Sequence, residues 1–81
     1  MATQTEIKEL YSNEDYCKEE LLRGRAIMGN KDTTRKEWSA MEASIQFMYL
    51  YCPISMQGIV HGMLLEITMR EKYMYPIWGT A

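Results

Sequence analysis

Cross-linking and metal-binding residues are scarce in this chain. It has two cysteines, Cys17 and Cys52, and one histidine, His61, among 81 residues. A secreted domain of this size is normally stapled by several disulfides, so two thiols predict a reducing compartment and free cysteines. A closed zinc site takes four Cys or His ligands, and these three show no paired ligand spacing. No metal and no cofactor is expected. The segment Met1-Ala2-Thr3-Gln4 lacks the basic flank and apolar run of a secretory leader. The longest uncharged apolar run, Phe47 to Ile54, falls far short of the roughly 20 residues that a membrane span needs. A cytoplasmic location away from the membrane follows as the expectation.

Catalytic patterns are missing as well. Gly24 and Gly29 lie too far apart for a phosphate loop, and no Gly-Lys-Ser/Thr follows them. His61 has no serine or aspartate at a suggestive spacing. Glu66 and Glu71 fall on different faces of a helix, so they form no acid–base pair. The chain is not expected to be an enzyme. Its net charge of -2 gives no whole-chain basicity, so nucleic acid is not an expected partner.

What the sequence does contain is helical periodicity. Thr3-x-x-Glu6 is a capping-box pattern, followed by Ile7, Leu10 and Tyr11 at helical spacing. Ser12-x-x-Asp15 offers a second start, so residues 4–28 read either as one helix or as two. Cys17, Leu21, Leu22 and Met28 continue an apolar stripe, and Gly29 suits a left-handed helix end. Thr34-Arg35-Lys36-Glu37 is a second capping box and opens a central helix over residues 34–52. Pro53 ends that helix and suits the first turn of the next. A third helix is expected over residues 54–74, with an aromatic tail at 75–81 breaking at Pro76. That tail reads as a strap folded over the core or as a docking peptide. The fold class is all-α: a helical hairpin plus an N-terminal helical segment in a single domain.

The two hairpin helices are apolar on more than one side. Trp38, Met41, Ile45, Met48 and Cys52 make one stripe of the central helix; Ala40, Ala43, Phe47 and Leu50 make another. Met56, Ile59, Val60, Met63, Ile67 and Met74 line one side of the third helix, and Gly58, Gly62, Leu65, Met69 and Tyr73 line a second. A bundle helix in a monomer buries one such stripe. A second stripe left wet would exceed the few hundred Å2, roughly, that monomers usually expose. The composition therefore predicts a homo-oligomer, most simply a dimer. Its expected contact residues are Met41, Ile45, Met48, Gly58, Gly62, Leu65 and Met69. The eight methionines fit a Met-rich core or an adaptable interface.

Charge is unevenly placed. Residues 6–20 carry six acids against two bases, and residues 21–36 carry five bases against one acid. The basic segment brings Arg23, Arg25, Lys31, Thr33, Thr34, Arg35 and Lys36 to the start of the central helix. A helix N-terminus presents unpaired N–H groups and a partial positive charge, which attract anions. These residues read as a site for a phosphate, a nucleotide or an acidic protein surface, or as a solvated charged end. The function expected from all this is a small helical interaction protein that binds another macromolecule, as an inhibitor or adaptor. Two alternatives stay open: a binder of a small phosphorylated ligand, and a structural subunit of a larger assembly.

Overall fold

The computed structural model describes residues 3–79. Among them the chain forms four helices and no strand: α1 (Gln4–Tyr11), α2 (Glu14–Gly29), α3 (Arg35–Tyr51) and α4 (Ile54–Gly79). The all-helical expectation holds, with four helices in place of three. Residues 4–28 are divided because two caps compete there. Ser12 closes α1 through its N–H to the Lys8 carbonyl, and Asn13 opens α2 by accepting from the Tyr16 N–H. The second start thus falls one residue later than the Ser12 pattern implies.

The other boundaries follow local chemistry. Thr34 caps α3 with a reciprocal capping box to Glu37. Cys52 closes α3 through its N–H to the Met48 carbonyl, and the Pro53 carbonyl accepts from Met56 to start α4. Gly29 does not take a left-handed conformation; no described residue does. The chain leaves α2 instead through an extended Asn30. Nor does Pro76 end α4, which runs on to Gly79. Its last turns bring Trp78 against Trp38, so residues 75–79 of the expected tail are helical, while residues 80–81 lie outside the described residues.

Trp38 near the start of α3 meets Trp78 near the end of α4, with ring centres 5.6 Å apart, so the two helices form an antiparallel hairpin. Helix α2 lies in the groove between them. Gly24 sits at this crossing: the Met63 terminal methyl occupies the space that a Cβ would take, with Met41 and Ile45 at ordinary contact distance. Helix α1 flanks α3, where Tyr11 stacks on Phe47 and bonds Ser44 at 2.9 Å. The result is a flat slab, 39 × 29 × 16 Å between Cα atoms.

The core is Trp38, Ile45, Met48, Val60, Met63, Ile67 and Cys17, each sealed from solvent. Six of the eight methionines belong to this core and its margin: Met28, Met41, Met48, Met56, Met63 and Met74. Thioether chains suit the irregular gap where one helix crosses two others. Burying one such side chain contributes roughly 1.5–3 kcal/mol. Leu22, in contrast, falls off the buried stripe of α2 and is exposed.

Candidate functional site

Three places on the molecule gather residues of interest. The first is the connector between α2 and α3. Thr33 is buried; its hydroxyl donates to the Ile27 carbonyl at 2.7 Å, and its own carbonyl accepts from the Trp78 indole at 3.0 Å. The Arg35 guanidinium lies 5.8 Å from the centre of the Tyr75 ring. Together with Lys31 and Thr34 these residues line a cleft of about 490 Å3, whose far wall is Tyr75, Ile77 and Trp78. The aromatic wall belongs to α4 and could not be seen from the basic segment alone.

The expected anion-binding set is only partly assembled there. Lys31, Thr33, Thr34 and Arg35 line the cleft, and Lys36 is exposed on the first turn of α3. Arg23 and Arg25 are directed elsewhere. Arg23 sits 3.1 Å from Glu20, and Arg25 3.9 Å from Glu66 on α4. The end of α3 also has its own negative charge. The Glu37 carboxylate accepts from the Thr34 hydroxyl at 2.9 Å, and the Glu37 N–H donates to that hydroxyl at 3.1 Å. A carboxylate in the first turn already complements the partial charge that would draw an anion.

The second place is a polar cluster between α2 and α3. Glu20 is nearly buried, with one oxygen on Arg23 and the other accepting from Ser44 at 3.1 Å. Ser44 in turn bonds Tyr11. This chain ties α1, α2 and α3 together and borders a groove of about 310 Å3 over Gly24, Met41 and Ile45. Removing Ser44 would leave the Glu20 carboxylate short of a partner, at a cost of about 1–3 kcal/mol. No imidazole joins Ser44 here; His61 lies on α4 against the Tyr49 ring, 5.6 Å between centres. Sequence reading missed the cluster. Its one signal is that Glu20 follows Cys17 by three residues, on the buried side of α2.

The third place is the outer edge of α4. At about 100° per residue, Ile54, Gly58, Gly62, Leu65, Met69 and Tyr73 fall opposite the buried stripe of Met56, Val60, Met63 and Ile67. All four large members of that outer face are exposed, from 55% for Leu65 to 87% for Ile54. Among the described residues, a Cβ placed on Gly58 or Gly62 would meet nothing within 4 Å. Of the interface residues expected from sequence, Gly58, Gly62, Leu65 and Met69 are thus together on an open surface. Met41, Ile45 and Met48 are not: they are buried under α2 in the chain's own core and are not available to a partner. The sequence pattern could not show which of two apolar stripes α2 would cover.

Elsewhere the reactive groups are quiet. Cys17 and Cys52 are free and buried, and burial raises both thiols above their ordinary value, with Cys52 adding to the effect at Cys17. The Cys17 thiol donates to the Tyr11 carbonyl. Burial, and then the nearby Glu71, raise the Glu42 carboxyl. The Trp38 indole N–H meets no acceptor among the described residues, where its ring is wedged against Trp78. Among the described residues no group of three His, Cys, Asp or Glu side chains converges as for a metal, and no helix is long and apolar enough to cross a membrane.

Among the described residues the chain thus forms a four-helix fold with an exposed apolar edge on α4. No protein-family model, curated protein or solved structure matches it.

Proposed function

We propose that this chain is a helical interaction protein that acts by binding protein, as an adaptor or inhibitor does, and that its contact surface is the outer edge of α4. The first occupant of that edge is a second copy of the chain. One observation carries the reading: Ile54, Leu65, Met69 and Tyr73 stand exposed in a row on the side of α4 turned away from the core. Exposed apolar rows rimmed by polar residues mark interaction surfaces in soluble proteins.

The phosphorylated-ligand reading ranks second. The aromatic wall of Tyr75 and Trp78 beside Lys31 and Arg35 favours it. The Glu37 carboxylate at the end of α3 weighs against it.

Site-directed photo-cross-linking tests the proposal. A benzophenone side chain replaces Met69, on the proposed face, or Leu22, which is equally exposed on α2. The expected result is a protein adduct from position 69 at twice the chain mass, which Leu65→Glu abolishes, and no such adduct from position 22. No adduct from position 69, or equal labelling from both positions, overturns the reading. An adduct from position 69 with a different protein alone overturns the choice of a second copy as occupant.

A further inference from the structure

The buried stripe of α4 stops before the helix does. Met56, Val60, Met63, Ile67 and Met74 are buried, but of the described residues after Met74 only Trp78 is even half-buried. Tyr75, Pro76, Ile77 and Gly79 are exposed. The last turn therefore meets the core through one side chain. We infer that residues 75–79 form a latch that swings about Pro76, and that its opening uncovers Trp38 and releases the start of α3.

The hinge is a backbone feature. Pro76 lies inside α4 and has no N–H to give the Lys72 carbonyl, against which its ring also crowds. The missing rung falls at the joint between the buried length of the helix and its last turn. A helix bends at such a point, so the turn can leave while the rest stays wound.

The anchor is Trp78. Its indole N–H donates to the Thr33 carbonyl at 3.0 Å, and its ring meets Trp38 edge-on with centres 5.6 Å apart. Tyr75 packs on Trp78 at 5.8 Å and also lies 5.8 Å from the Arg35 guanidinium. The closed latch thus engages Thr33 and Arg35 and forms one wall of the cleft that Lys31 and Thr34 line from the other side. Opening frees those groups together.

Closure also has a cost at its centre. Trp38 is only 1% exposed, and its indole N–H meets no acceptor among the described residues. A buried donor without a partner forgoes the hydrogen bond that water would give it. Opening returns that N–H to water and relieves the crowding at Pro76. Against these stand the half-burial of Trp78 and one hydrogen bond, far less than holds Ile45 or Ile67 in place. Segments with so few buried contacts open without the rest of the fold.

Hydrogen exchange at the Trp38 indole N–H, read by NMR on the full chain, separates a latch from an end that only frays. Fraying exposes the last residues alone, whereas the latch exposes Trp38 with them. Protection of that N–H, relative to the unfolded chain, is expected to be at least about tenfold weaker than protection of the Ile45 backbone N–H. Pro76→Ala supplies the missing rung and should strengthen protection at Trp38 several-fold. Ile67→Val loosens the core and should weaken protection at Ile45 while leaving Trp38 as it was. A Trp38 N–H as protected as Ile45 overturns the inference, since the turn then frays or stays shut without uncovering the core. Weakening at Trp38 in step with Ile45 in the Ile67→Val chain overturns it too, because Trp38 then opens only with the whole fold. Unchanged protection of Trp38 in the Pro76→Ala chain overturns the hinge.

Discussion

On the inner side of α4, Met56, Val60, Met63 and Ile67 are sealed against α2 and α3, whereas on the outer side Ile54, Leu65, Met69 and Tyr73 meet water. The two sides are built from the same residue classes. What separates them is the single helix α2, which can lie in only one groove of the α3–α4 hairpin. Gly24 and Gly62 repeat the contrast at one residue type. Gly24 has the Met63 side chain packed where its Cβ would be, and Gly62 faces open space. One glycine has its reason inside the chain, and the other has it outside or not at all.

The largest expected effect sets the two sides of α4 against each other. Replacing Ile67 with alanine should cost about 2–5 kcal/mol, since the residue is fully enclosed. Replacing Leu65 with alanine should cost the dilute chain no more than about 0.5 kcal/mol. Urea unfolding at low concentration measures both, and equal losses would mean that the outer side is already packed.

Next comes the glycine pair. Gly24→Leu forces α2 off the hairpin and should cost about 1–3 kcal/mol. Gly62→Ala should instead stabilise the dilute chain by up to about 1 kcal/mol, because alanine is the better helix former and nothing crowds it. A domain of this length shifts its melting temperature by about 4–8 °C per kcal/mol, so the opposite signs are readable in thermal melts. A loss at Gly62 that does not depend on concentration would place a neighbour there within the chain.

Smallest is the effect of charge at the α3–α4 seam. The Glu42 carboxyl is raised by burial and by Glu71. Its neutral form is the one the fold prefers. The stability tied to that proton is fully present below the ordinary carboxyl range and is lost as pH rises through the folded value. Glu42→Gln should therefore melt slightly higher than wild type at pH 7, with the gap closing below about pH 4. An unchanged gap across that window would mean that Glu42 is fully hydrated.

Much of this architecture was legible in the residues, because local chemistry decides it. The Thr34 capping box, the stop at Pro53 and the alternating three-four spacing of Trp38 to Cys52 give two helices and their inner stripe. Three features needed the third dimension. Ser12 and Asn13 both cap, and only the folded chain shows which one ends α1 and which opens α2. Pro76 reads as a break, yet packing of Trp78 on Trp38 and its bond to the Thr33 carbonyl hold α4 helical through it. The candidate interface was half legible for the same reason. Both stripes of α3 and α4 look alike in sequence, so Met41, Ile45 and Met48 were grouped with Gly58, Gly62, Leu65 and Met69 until the course of α2 separated them. The anion site divided likewise, since Arg23 and Arg25 found acidic partners that lie far off in sequence or one turn away.

Sedimentation equilibrium tests the claim that the outer edge of α4 is a contact surface most directly. The wild-type chain and a Leu65→Glu/Met69→Glu variant are compared across micromolar concentrations. The wild type should rise from the chain mass of 9.5 kDa toward twice that value, and the variant should stay at 9.5 kDa with its helical spectrum intact. A wild type that remains a single 9.5 kDa species throughout, or a variant that pairs as well as the wild type, would contradict the account.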